Sequence, residues 1–254
     1  MAEKEIENEP KDLIEATPDE ITKLEKDQEV KATLGLKEEK IEMLAPWKPR
    51  TKLGKLVKEG KIKDIDEVLE NHKKILEPEI VDTLLDLESE LILIGQAKGK
   101  FGGGKRRAWR QTQKKTQEGN VITFSSMVVV GDKNSHIGFG YGRSKETLPA
   151  REKAFRQAKL DIIKIRRGFE DPLEKSNDPH TVPFKIEGKS GSVRITLMPA
   201  PRGTGLVVAD ECKKILKLVG IKDVYSRTKG KTNTTFNLAK ACINALSKTT
   251  EIET

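Results

Sequence analysis

The sequence predicts an α+β protein, a helical extension followed by two parts in which helices pack on sheets, and three observations predict it. Apolar residues recur at helical spacing between positions 53 and 93. Beyond position 96 the pattern changes to short glycine-bounded strand-like runs that alternate with longer helical ones. Charge segregates at the same boundary: residues 1–95 hold 16 Lys+Arg against 25 Asp+Glu, which leaves 32 and 15 of the chain's 48 and 40 for the rest. A surface with that surplus repels itself unless a polyanion neutralises it, and nucleic acid is the usual one.

With 254 residues and 35% hydrophobic composition, the chain suits two small cores better than one large one. The expected division is a polar, mobile extension over 1–45, a helical extension over 46–95, a first domain over 96–168, a linker over 169–181 and a second domain over 182–250. Glu and Lys dominate the first segment, which buries little apolar surface. In the second, Leu53, Leu56 and Val57, then Ile65, Val68, Leu69, Ile75 and Leu76, then Ile80, Leu84, Leu87 and Leu91 form helical stripes. Gly60 and Pro78 punctuate them, so two or three short helices are predicted.

From Lys98 to Gln117 there are eight basic residues and no acid, with Gly102-Gly103-Gly104 inside the run. Strands are predicted at Val121–Val130 and His136–Tyr141, joined by the hairpin chemistry of Gly131-Asp132-Lys133-Asn134. A strand before Glu118-Gly119 would complete a three-stranded antiparallel sheet. A helix is predicted from Pro149 to Arg167, with Phe155, Ala158, Ile162 and Ile165 on one face and Lys153, Arg156, Lys164 and Arg167 on the other. The second domain reads as a hairpin, Val182–Ile186 and Ser192–Met198 around Gly188–Gly191. A glycine-rich loop over 199–205 then leads to a helix carrying Val208, Cys212, Ile215 and Val219. A strand at Ile221–Ser226 and a last helix with Leu238, Cys242 and Ala245 on its apolar side follow. Two helices on one face of a sheet make an α+β layer.

Several features exclude chemistry. Cys212 and Cys242 form no CxxC pair and sit in apolar helical patterns, which predicts buried, reduced thiols. His72, His136 and His180 share no metal-ligand spacing, and no chemical role is assigned to them. The run Gly138-Phe139-Gly140-Tyr141-Gly142-Arg143 lacks the spacing of a dinucleotide or NTPase loop, and its alternating glycines suit a sheet pressed against another backbone, nucleic acid included. Pro201-Arg202-Gly203-Thr204-Gly205 before a helix reads equally as a phosphate site at the helix start or as a plain connector. No GxSxG or HExxH occurs, so no catalytic site is expected. No run approaches the about 18 apolar residues of a membrane helix, and MAEKEIENEP is acidic where a secretory signal is basic, so a soluble cytoplasmic protein with no membrane partner is expected.

Four segments, taken together, resemble a known family. Val128-Val129-Val130-Gly131-Asp132, Ile137-Gly138-Phe139-Gly140-Tyr141-Gly142, Pro199-Ala200-Pro201-Arg202-Gly203-Thr204-Gly205 and Gly220-Ile221-Lys222-Asp223-Val224 look like successive signatures of the ribosomal protein S-five family of the small subunit. Trp47-Lys48-Pro49-Arg50-Thr51-Lys52-Leu53-Gly54 resembles the extension of its archaeal and eukaryotic branches, and the absence of long Arg-Gly repeats favours the archaeal one. The resemblance implies a first domain similar to double-stranded-RNA-binding folds and a two-layer second domain with a left-handed βαβ crossover. It also implies binding of ribosomal RNA, contact with the neighbouring small-subunit protein four, a place along the channel through which messenger RNA enters, and an influence on decoding accuracy. No cofactor is implied. Lys114–Asn120 corresponds to the family loop that reaches toward the subunit head, although Glu118 departs from the usual bacterial Lys-Gly-Gly and puts an antibiotic-related role of that loop in doubt.

On this footing the RNA-binding candidates are Lys105, Arg106, Arg107, Arg110, Lys114, Lys115, Gly140, Gly142, Arg143, Lys145, Arg151, Arg156, Arg202, Gly203, Arg227 and Lys229, since positive side chains position a protein on phosphates whatever the sequence. Tyr141 either stacks on a base or packs within the protein. Two other readings compete: an enzyme of the small-molecule kinase class, which shares the implied second fold, and a free regulator that binds double-stranded RNA.

Overall fold

A computed structural model of the chain describes residues 47–71, 74–97, 106–170 and 178–251. It divides into two units, 1–48 and 49–254; of the first only Trp47 and Lys48 are described, and the helices and strands among the described residues belong to the second. The expected polar extension over 1–45, His72 and the glycine-bearing segment from Lys98 to Lys105 lie outside the described residues.

Three short helices open the second unit: α1 (Lys52–Lys58), α2 (Ile65–Glu70) and α3 (Pro78–Leu84). Thr51 caps α1, its hydroxyl accepting from the Gly54 amide at 3.0 Å. Pro78 starts α3, where its missing N–H costs nothing. The helical stripe predicted as far as Leu91 ends early, because Leu85 is extended (φ −125°, ψ 148°) and the chain continues as strand β1 (Glu88–Leu91). Leu87, just before β1, and Leu91, at its end, still pack partly buried against the core without being helical.

Strands β2 (Trp109–Thr116), β3 (Gly119–Gly131), β4 (His136–Ser144) and β5 (Ile162–Lys164) complete a five-stranded antiparallel sheet. The long β3 is paired along one edge by β1 and β2 in succession and along the other by β4. Three of these strands match expectation, and β1 and β5 are additions. The β2–β3 connection is a two-residue turn, Gln117-Glu118, tighter than the Lys114–Asn120 loop expected from the family resemblance.

The helix predicted over 149–167 is α4 (Thr147–Leu160) and stops seven residues short. Asp161 leaves helical geometry (φ −113°, ψ 50°), and the β-branched pair Ile162-Ile163 adds a strand beside β4. The buried face of α4 is Ala150, Ala154 and Ala158, while Phe155 is only half-buried beneath the Lys159 ammonium. These alanines meet the glycines of β4: a Cβ at Gly138, Gly140 or Gly142 would strike the carbonyl oxygens of Ala158, Ala154 and Ala150 in turn. Small residues on both sides bring helix backbone onto strand backbone.

The second sheet comprises β6 (Ile186–Ser190), β7 (Val193–Met198), β8 (Leu206–Val207) and β9 (Val224–Lys229) in the order β6-β7-β9-β8. β8 runs parallel to β9, and α5 (Asp210–Val219) makes the crossover between them. The last helix, α6 (Thr235–Glu251), packs on β6 and β7. Boundaries shift from expectation: Gly188 lies inside β6, where a Cβ would meet the Ala241 carbonyl of α6, and β9 begins three residues late because left-handed Gly220 (φ +87°) caps α5 and Ile221 goes to the core.

One cluster of buried side chains runs from Met127, Val129 and Ile137 of the first sheet to Ile195, Leu197, Cys212, Ile215 and Leu246 of the second part. A second, smaller cluster of Val128, Val130, Ala154 and Ala158 lies between the first sheet and α4, so the first part keeps a core of its own on one face of its sheet and shares the other. The β3–β4 turn fastens onto α5, with the Lys133 amide donating to the Leu218 carbonyl at 2.9 Å. Both cysteines are buried and unbridged as predicted, and their mutual hydrogen bond together with burial pushes the Cys242 thiol well above its ordinary range.

Candidate nucleic-acid interface

The predicted cations fall on two surfaces. On the first sheet, register places Arg110 of β2 and Arg143 of β4 on either side of Ser125, so both project from the same face. Arg143 is held there by its guanidinium, which donates to Thr123 Oγ1 at 2.9 and 3.2 Å. Arg107 stacks on Trp109 with its guanidinium carbon 4.7 Å from the ring centroid, and Arg106 donates to the Asn233 carbonyl at 3.3 Å. Toward the hairpin tip Lys114, Lys115 and every residue from Gln113 to Ile122 are exposed, Val121 and Ile122 included. An arm with both faces open has no protein core of its own to serve.

The second surface is the outer face of the second sheet. Arg227 and Lys229 alternate outward along β9, and register sets Lys229 opposite Arg194, which in turn lies opposite Lys189. Like charges directly across strands repel. A row of three such residues is stabilised by an anion laid over it. Lys189 and Arg194 are absent from the candidates that the sequence supplies; the outward alternation of the β6–β7 hairpin is the available signal, obscured by the misplaced first strand.

Other candidates fare differently. Lys145 and Arg156 are exposed; Arg151 is partly covered, and its buried Nε has no hydrogen-bond partner among the described residues. Arg202 donates to the Asp178 carbonyl at 3.2 Å beside the exposed, left-handed Gly203 (φ +85°). Lys105 lies outside the described residues. Gly140 and Gly142 are corrected: both are buried beneath α4, so the close backbone approach that their alternation signalled is to the protein's own helix and not to RNA. The helix-start phosphate reading of the 201–205 loop is corrected too. β8 intervenes, and α5 opens at Asp210-Glu211, whose carboxylates repel an anion.

His136, given no role from sequence, proves to be an electrostatic tie. Its Nδ1 lies 2.6 Å from Asp132 and its Nε2 2.8 Å from Asp66 of α2, while Lys164 reaches the other Asp66 oxygen at 2.8 Å. Burial opposes the imidazolium, but the hydrogen bonds it donates to Asp132 and Asp66 outweigh it and raise the His136 pKa. Both carboxyls are held below their ordinary range despite burial, Asp66 by hydrogen bonds from Lys164 and His136 and Asp132 by hydrogen bonds centred on His136. The three groups come from α2, the β3–β4 turn and β4, so only folding unites them.

Comparison with known proteins decides the family. Residues 108–166 match the Ribosomal protein S5, N-terminal domain family and residues 188–254 match the Ribosomal protein S5, C-terminal domain family. Small ribosomal subunit protein uS5 of Nanoarchaeum equitans is 50% identical over 207 residues, covering 81% of this chain and 89% of that protein. The chain belongs to the uS5 family of small ribosomal subunit proteins. The uS5 proteins of Thermofilum pendens and Methanothermobacter thermautotrophicus are 46% and 44% identical, each over 82% of this chain and over 96% and 89% of their own lengths. These uS5 relatives are archaeal and are structural proteins rather than enzymes, which sets the kinase reading aside. Among the described residues no helix is long and apolar enough to cross a membrane.

Proposed function

We propose that this uS5 chain is a structural, RNA-binding constituent of the cytoplasmic small ribosomal subunit, with ribosomal RNA as its principal partner. The observation that carries this reading is the cross-strand row Lys189, Arg194 and Lys229, a repulsive arrangement that an RNA backbone turns to advantage. The contact set is Arg106, Arg107, Arg110, Lys114, Lys115, Arg143, Lys145, Arg151, Arg156, Arg202, Gly203, Arg227 and Lys229, extended by Lys189 and Arg194. Residues 96–168 and 182–250 carry it, joined by 169–181, with 46–95, whose helices precede strand β1, as an extension that faces neighbouring proteins, protein four among them. The exposed β2–β3 arm suits a position along the messenger RNA channel, from which decoding accuracy is influenced.

Sedimentation of cell extract through a sucrose gradient at high salt tests the proposal. The chain is expected in the small-subunit fractions. Its recovery only in slowly sedimenting material would favour the free regulator of double-stranded RNA and overturn this reading.

A further inference from the structure

A cleft of about 950 Å³ opens between the first sheet and the start of α6. Arg110, Thr112, Ser125 and Tyr141 line its sheet side, and Asn233 to Phe236 line the other. Three arginines, Arg106, Arg107 and Arg110, border it, and no acidic residue does among the described residues. Tyr141 is 41% exposed although it sits mid-strand, and its ring meets Phe236 edge to face at 5.3 Å. A strand tyrosine that packs for stability alone turns its face inward; this one leaves part of its surface to the cleft.

We propose that this cleft holds an unpaired nucleotide of RNA, with the base against Tyr141 and the flanking phosphates on Arg106 and Arg110. Its volume lies within the roughly 300–1,000 Å³ range of small-ligand pockets, so a single extruded nucleotide fits and a duplex does not enter. Hydroxyl and amide groups of Thr112, Ser125, Asn233 and Thr235 at its walls are neutral donors and acceptors of the kind that read base edges, whereas a site for phosphate alone needs only the cations. The absence of acid among the lining residues separates this place from an ordinary polar crevice and makes it complementary to a polyanion. The inference rests on the RNA-binding reading and sharpens it: the two basic surfaces grip backbone, and the cleft selects for a base that is out of the stack.

The test uses the full chain and a single-stranded RNA decamer with 2-aminopurine at its centre, alone and annealed to its complement. Stacking on Tyr141 is expected to change the fluorophore's emission saturably, with the single strand bound about tenfold or more tightly than the duplex. Tyr141→Phe should retain the signal. Tyr141→Leu should weaken binding by about five- to a hundredfold, the range expected for one base–aromatic stack. If Tyr141→Leu proves unfolded by circular dichroism, Arg110→Gln, whose side chain is exposed, provides the second variant and should weaken binding of the single strand more than that of the duplex. Equal affinity for single strand and duplex, or native-like stacking in Tyr141→Leu, overturns the cleft proposal. The same native chain titrated with small-subunit ribosomal RNA keeps the two readings apart: binding there without the decamer signal removes only the cleft, and failure of both removes the function from which it was drawn.

Discussion

Strand β4 and the tip of the β2–β3 hairpin belong to one sheet, yet they are built from opposite materials. In β4 alternate positions are glycine, buried against the alanines of α4 and left without room for even a methyl group. In the hairpin tip long cationic and polar side chains stand exposed on both strands. The difference shows how the molecule divides its labour: rigidity comes from residues with almost no side chain, packed backbone on backbone, and the outward chemistry comes from residues with no core to fill. The Gly138-to-Gly142 run draws attention as a ligand loop from sequence, and it proves to be scaffold.

That contrast can be broken at its stiff end first. Gly140→Val places three carbons where the Ala154 carbonyl already sits, and a loss above about 4 kcal/mol in urea denaturation is expected, enough to unfold much of the population. A loss under about 1 kcal/mol would mean that α4 can simply ride outward.

The next effect belongs to the tie at the base of β4. Asp132→Asn keeps an oxygen for the Asn134 and His136 amides, which Asp132 Oδ1 accepts at 2.7 and 3.0 Å, but removes the charge facing the imidazole. The expected cost is about 1–3 kcal/mol near pH 6. Because the folded-state pKa of His136 is raised, its contribution is fully present below the unfolded value of about 6.5 and is lost as pH climbs through the higher folded value. The lowered carboxyls work in the other direction, contributing above about pH 4 and failing as acid is added. The native chain should accordingly gain most from this cluster between these limits, and the difference from Asp132→Asn should shrink by pH 9. A pH-independent difference in denaturation curves would show that the ion pairs contribute nothing.

Smaller still is Gly203→Ala. Gly203 has positive φ like Gly220, but a Cβ there meets nothing, so only the left-handed backbone resists and about 1 kcal/mol is expected from thermal unfolding. At the soft end, Lys114→Ala with Lys115→Ala should leave stability within about 0.5 kcal/mol of native, because nothing rests on those side chains. Their effect should appear instead in RNA binding, as a salt slope shallower by about two units.

The same contrast explains what can be read from the chain before folding. The β3–β4 hairpin is legible because Gly131 to Asn134 is local turn chemistry flanked by alternating residues, and the apolar stripe of α6 because its period is long and uninterrupted. β1 and β5 are not, since four- and three-residue strands are made by the free edges they find rather than by their own pattern. Both lie hidden in helical stripes that run on too far, through Leu91 and through Ile162. Among site residues, Arg110 and Arg143 are visible as charge, but that they flank one serine is a fact of register. Lys189 and Arg194 are invisible once the first strand of their hairpin is placed four residues early, and His136 cannot be linked to Asp66 seventy positions away.

The claim that positive charge on these sheets exists to be neutralised by folded RNA is tested most directly by one titration. Affinity of the full chain for small-subunit ribosomal RNA would be measured between about 50 and 200 mM salt, for the native protein and for the triple variant Arg106→Ala, Arg107→Ala, Arg110→Ala. A steep fall with salt in the native chain, shallower by roughly two to three units in the variant, is the predicted result. Absence of binding at the low-salt end, or identical slopes for the two proteins, would contradict it.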